Sequence, residues 1–249
     1  MGRRFFSGRS LVALILALGA LAACGEPVAT PEPVYVRIAG SAAMAPVVDE
    51  LVSAFTDENP TVSMEIAPYG SLFGLESLQA GEAEVAMVSW LNQDAPGLGL
   101  LADAADPDWE ATPIARDAIT IVVHPDNPVQ GLGLLQLRDI FGGRVDDWAA
   151  VGGRASQDLL QPVSREEGAA IRVAFESLAM EGVSVSPRAV VMPSGQAVVQ
   201  YVADHPEAVG YISMADLSDQ VRALRIEGEW PTPETAIQGK YPLVHELWL

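Results

Sequence analysis

The 249-residue chain holds one cysteine, Cys24, one lysine, Lys240, and only three histidines. A lone cysteine leaves no intrachain disulfide to form, so the fold must rest on its apolar core. His124, His205 and His245 are scattered, two of them beside proline, and none has the i, i+4 partner of a helical metal site. No G-x-S-x-G elbow occurs, and Gly131-Leu132-Gly133 lacks the third glycine of a dinucleotide fingerprint. Carboxylates are too numerous for any pair to stand out as an acid/base couple. Binding rather than catalysis is therefore the expectation, without a metal or cofactor. Positive charge is also scarce, with 14 Lys and Arg against 33 Asp and Glu.

What is present begins with an export signature. Arg3, Arg4 and Arg9 precede an apolar run from Leu11 to Ala23, too short for the roughly 20 residues of a permanent bilayer span and ending in small residues. Residues 1–23 read as a signal peptide. Leu21-Ala22-Ala23-Cys24 has the form of a bacterial lipobox, which makes Cys24 the lipidated first residue of the mature protein. The proline-rich stretch over 24–33 is the expected tether. The expected location is the extracytoplasmic face of the cell membrane, held by the lipid.

Removing residues 1–23 takes away three arginines and no acid, leaving 11 basic against 33 acidic residues and a formal charge of −22. Such a charge excludes nucleic acid as a partner and repels anions at long range, so any anion site must act locally.

Along the rest of the chain, strand, glycine turn and helix repeat. Val34–Ile38 alternates like a strand, Gly40-Ser41 breaks it, and Val47, Val48, Leu51, Val52 and Phe55 form a helical stripe. Val62–Ala67, a turn at Gly70-Ser71, a helix over 72–80 and a strand over 85–88 repeat the pattern. A fully apolar strand over 119–123 opens a second group, with helices over 135–141, near 169–180 and over 195–204. Strands follow at 161–164, 209–213 and 221–226. Ser194 and Thr232-Pro233-Glu234 read as helix starts. This alternation predicts an α/β protein with mainly parallel sheets flanked by helices, and ligands beyond the carboxyl ends of the strands. Ser41, Ser71 and Ser89 stand at three such ends, with Trp90 next to the last.

The segment PVSREEGAAIRVAFE over 162–176 places Arg165 before a turn at Gly168 that opens a helix. The N–H groups of a helix start and an arginine fork suit an oxyanion. Ala169, Ala170 and Ile171 follow where hydroxyls would help such a ligand.

Together these pieces resemble the phosphate-binding protein family of ABC transporters, a branch of the type II periplasmic-binding fold. The resemblance is carried by Gly40-Ser41 with Pro46, Gly70-Ser71 with Gly74, the run over 124–153, VSREEG over 163–168, the run over 197–212, and the PTPE and GKYPL pieces. It implies two lobes, 34–115 and 116–205, with 206–249 returning to the first. It further implies a monomeric receptor that closes on phosphate or another small oxyanion and presents it to an ABC permease. Carried over residue by residue, the ligand set is Ser41, Ala42, Ser71, Ser89, Trp90, Arg165, Gly168, Ala169 and Ala170. Four of these depart from the family pattern: Ala42, Ala169 and Ala170 replace a hydroxyl residue or glycine, and Trp90 stands where a polar residue is usual. Each lost hydroxyl removes a hydrogen bond to a charged group of about 1.5 to 3 kcal/mol. The departures leave two alternatives open: a diverged lipoprotein without anion cargo, and a receptor for a different ligand.

Overall fold

The computed structural model describes residues 33–89, 109–154 and 159–249. Cys24, the tether and Trp90 lie outside the described residues. Strand β1 (Val34–Gly40) buries its apolar end, Ile38-Ala39-Gly40, and is followed by helix α1 (Ala45–Glu58). Pro46 sits in the first turn of α1, where its missing N–H is not needed. Strand β2 (Val62–Ala67), helix α2 (Ser71–Gln79) and strand β3 (Val85–Met87) complete a three-stranded sheet of order β2-β1-β3. β1 and β3 run parallel, with Ile38 opposite Val85.

Strand β4 (Pro113–Val123) starts six residues earlier than the apolar pattern over 119–123 suggests. Its first half carries Arg116 and Asp117, charged residues outside the apolar pattern. That half is held instead by antiparallel pairing with the last strand, β11 (Val244–Trp248). The apolar half, buried throughout, pairs with β8 (Ala208–Ser213) and β9 (Arg222–Ala223). β8 pairs on its other side with β6 (Gln161–Arg165), which is parallel both to it and to β7 (Val190–Met192). The second sheet thus has the order β11-β4-β8-β6-β7. A small parallel ribbon joins β5 (Gly131–Leu132) to β10 (Arg225–Ile226).

Four further helices pack around this sheet: α3 (Leu134–Phe141), α4 (Ala170–Phe175), α5 (Gly195–Asp204) and α6 (Pro233–Ile237). α4 loosens into one π turn over Glu176–Met180, so the expected helix over 169–180 is continuous in path but not in hydrogen-bond pattern. Ser194 caps α5 by accepting from the Ala197 N–H at 3.1 Å, and Thr232 caps α6 through the Thr235 N–H at 3.2 Å. Such caps satisfy helix donors that have no intrahelical partner.

The return to the first sheet comes later than the expected boundary at 206. β8 reads AVGYIS and is buried at every position but the last, which suits the centre of a sheet covered on both faces rather than a crossover. The crossing is made by β11. Val88 and Trp248 exchange backbone bonds of 2.9 and 2.8 Å, and Thr112 and Leu249 exchange bonds of 2.7 and 2.9 Å. The two sheets therefore meet through the β4–β11 ribbon.

Candidate functional site

The first sheet brings three serines together at its carboxyl end. Ser41 donates from Oγ to Ser89 Oγ at 2.9 Å, Ser71 and Ser89 share a hydroxyl contact of 3.4 Å, and the Ser89 N–H donates to Ser71 Oγ at 3.3 Å. Gly40 sets this geometry. Its carbonyl accepts from the Gly70 N–H at 2.7 Å, while the Ser41 N–H donates to the Met87 carbonyl at 2.8 Å, tying the Ser71 loop to the end of β1 and the Ser41 loop to β3. Neither Ser41 nor Ser71 spends its hydroxyl on capping a helix: Ser41 makes no cap bond, and the cap of α2 is Gly70. Ser41 and Ser89 are both 1% exposed.

The second sheet contributes Arg165, the last residue of β6. The Ser164 hydroxyl and the Tyr211 phenol bond at 2.8 Å, and the Arg165 N–H donates to the same phenol oxygen at 3.3 Å. The Tyr211 ring stacks on Phe175 with centroids 4.2 Å apart and planes 9° from parallel. Arg172 donates to the Arg165 carbonyl at 3.0 Å and pairs with Glu176 at 2.9 Å. The backbone of Arg165 is thus held from two sides.

Its guanidinium donates to both Glu166 carboxylate oxygens, at 3.1 and 3.0 Å, and to the carbonyls of Met192 and Pro193, at 2.9 and 2.8 Å. The pairing is not a loose surface contact, because the Arg165 side chain is only 15% exposed. Burial works against the Glu166 charge, yet the bonds from Arg165 hold its carboxyl below the usual range.

Ser41 and Arg165 face one cavity of about 610 Å³. Of the expected residues, Ser41, Ala42, Arg165, Gly168, Ala169 and Ala170 line it. Ser71 and Ser89 stand behind Ser41, hydrogen bonded to it or to each other rather than forming the wall. Ile171 reaches the wall without filling the space. Sequence reasoning passed over Tyr69, Gly195, Ser213 and Asp216, all of which also line it. Ser213 ends β8 and Asp216 lies just beyond it, where the same strand-end rule that picked out the serines would have found them.

Asp216 is half-buried, and burial together with the nearby Asp117 charge raises its pKa, with Arg165 opposing. Asp117 itself accepts from the Ser213 hydroxyl at 2.9 Å and the Met214 N–H at 3.3 Å. Burial pushes Asp117 up as well, against those two bonds. Across the strand pair, His245 Nε2 stands 4.0 Å from Asp117, too far for a charge-assisted bond. Burial holds the imidazole neutral, down to about 4, and its Nδ1 has no hydrogen-bond partner among the described residues.

This histidine makes the fold acid-sensitive. Above its ordinary pKa of 6.5 the ring is neutral in both states; below it the unfolded chain gains a proton that the fold refuses until about pH 4. Stability therefore falls as pH drops through that window, by on the order of 3 kcal/mol. Asp117, raised in the fold, contributes in the opposite sense. His245→Gln removes only the first effect, so denaturant titrations near pH 7 and near pH 4.5 should show a smaller acid loss in the variant. Parallel losses in both proteins would refute a buried neutral His245.

Two α/β sheets joined by a ribbon bring serine hydroxyls and an arginine together at the carboxyl ends of their strands, where α/β folds take small ligands. The chain matches the PBP superfamily domain over residues 27–249 and belongs to that superfamily. It is similar to the phosphate-binding protein PstS of Bacillus subtilis, 28% identical over 207 residues that make up 83% of this chain and 66% of the relative. It therefore spans just under two thirds of that relative's length. Among solved structures, an ABC-type phosphate transport receptor from Vibrio cholerae superposes with a TM-score of 0.75 at 28% identity, covering 86% of this chain and 85% of the other. A putative phosphate ABC transporter substrate-binding protein from Clostridium perfringens, with bound phosphate, gives 0.73 at 28% identity over 86% and 84%.

Proposed function

We propose that the protein is a lipid-anchored receptor of an ABC transporter, binding a small oxyanion in the cavity between its two sheets, with phosphate as the reference ligand. The observation that carries this reading is the meeting of the Ser41 hydroxyl, backed by Ser71 and Ser89, with the Arg165 guanidinium on one cavity. The likeness to phosphate-binding relatives supports the same reading. Ser41 supplies a buried hydroxyl whose proton turns from Ser89 to the ligand on binding, and Arg165 supplies planar donors on a fixed backbone. The signal peptide, Cys24 and the tether provide export and anchoring, and the receptor hands its cargo to a permease as a monomer.

Affinity should be modest. Ala42, Ala169 and Ile171 offer no hydroxyl on the cavity wall, and Glu166 already occupies the Arg165 fork. Losing three bonds of about 1.5 to 3 kcal/mol each would move a micromolar site to roughly millimolar or weaker. Calorimetric titration of the purified protein with phosphate, compared with sulfate, tests the reading. One saturable site for phosphate, weakened in Ser41→Ala, is expected. No heat and no thermal shift with either anion would reject it in favour of a scaffold without oxyanion cargo.

A further inference from the structure

Resting on that reading, the composition of the cavity narrows the ligand class. A tetrahedral oxyanion of five heavy atoms displaces on the order of three waters of about 30 Å³ each. The cavity, at about 610 Å³, is several times larger and falls in the size range of sites for small organic molecules. Beyond the Ser41 and Arg165 pole its wall is largely carbon, including Ala42, Ala170 and Ile171. Such a wall offers contact area to a carbon chain, and its further donors, among them Tyr69, Ser194 and Gln196, are neutral.

Charge on the wall points the same way. One cation, Arg165, faces three carboxylates, Glu166, Glu167 and Asp216, and the first of these is already bound to it. Asp216 has neither a hydrogen bond nor an ion pair within 4.0 Å among the described residues. Its placement is built into the backbone: the Oδ2 atom packs so closely on the Cα of Gly195 that a Cβ there would overlap it. Burial and the neighbouring Asp117 raise its proton affinity, and the Arg165 charge, already engaged by Glu166, opposes them only in part. A bare dianion would add negative charge to a wall that is already net negative.

We infer that the cavity takes an organic phosphate or phosphonate whose short carbon chain ends in an ammonium group, the oxyanion at Ser41 and Arg165 and the ammonium at Asp216. The test is a calorimetric comparison of inorganic phosphate, ethylphosphonate and 2-aminoethylphosphonate on the purified protein and on Asp216→Asn. The expected result is 2-aminoethylphosphonate binding at least about tenfold tighter than either of the others. Asp216→Asn should bring it to the level of ethylphosphonate while phosphate binds tighter, one negative charge having left the wall, with the thermal midpoint showing that the variant is folded. Equal binding of the two phosphonates, or phosphate binding tightest, overturns this inference and leaves the oxyanion site standing. Failure of all three to bind overturns both.

Discussion

Arg165→Ala is expected to weaken phosphate binding at least about 100-fold while the protein stays folded. Two charge-assisted bonds from a bidentate guanidinium contribute roughly 3 kcal/mol or more, and each 1.4 kcal/mol is a factor of ten. Arg165→Lys keeps the charge but not the planar fork and should fall between wild type and alanine. Glu166→Gln should act in the opposite direction, because the carboxylate that occupies both Nε and Nη2 is a competitor of the same geometry as the ligand. Some stability will be lost with Arg165, which also donates to the carbonyls of Met192 and Pro193. A thermal melt beside each titration separates that from binding. Unchanged affinity in folded Arg165→Ala would remove this residue from the site.

The second large effect is on the scaffold. Gly40→Ala should destabilise the protein by on the order of 3 kcal/mol or more, which for a chain of this size is a fall in melting midpoint of roughly 6 to 12 °C. The residue has φ of +143°, a region that side chains rarely enter, and a Cβ there would overlap the Met87 carbonyl oxygen and lie 2.8 Å from the Met87 backbone carbon and nitrogen. Because the obstacle is the neighbouring strand rather than a flexible side chain, β1 and β3 must separate, and Ser41 moves with β1. Gly182→Ala is the matched control: its φ is also positive, at +81°, but nothing lies within 4 Å of the added carbon. Only the conformational cost of about 1 kcal/mol applies there. Similar melting shifts for the two variants would contradict the packing argument.

Most elements were legible in the sequence because their apolar spacing and their punctuation agreed. The stripe from Val47 to Phe55, the glycine turns at 40 and 70, and the caps at Ser194 and Thr232 all coincide with observed boundaries or caps. Elements escaped notice where pairing, not composition, holds the backbone. The first half of β4 contains Arg116 and Asp117, and its strand state depends on β11, whose position more than a hundred residues later no local pattern reveals. Val221–Ile226 reads as one strand but divides at Leu224, whose N–H donates to the Ile121 carbonyl at 2.8 Å.

The site was legible to the extent that it follows strand ends. Ser41 was reached that way, and Arg165 through the glycine turn and helix start that follow it. That Ser71 and Ser89 support Ser41 from behind depends on side-chain directions that spacing does not encode. Asp216 was hidden because it sits in a short 3₁₀ turn beyond β8, in a chain with 33 acidic residues where no single one attracts notice. The engagement of Arg165 by its sequence neighbour Glu166 was foreseeable as an adjacent charge pair, but not the two carbonyls that fix it beside the cavity.

The space between Ser41 and Arg165 is where the ligand is expected, and the most direct measurement is a crystal structure of the protein saturated with phosphate. Tetrahedral density within hydrogen-bonding distance of the Ser41 hydroxyl and the Arg165 guanidinium is the predicted result. An anion bound elsewhere, or none at saturating phosphate, would contradict it.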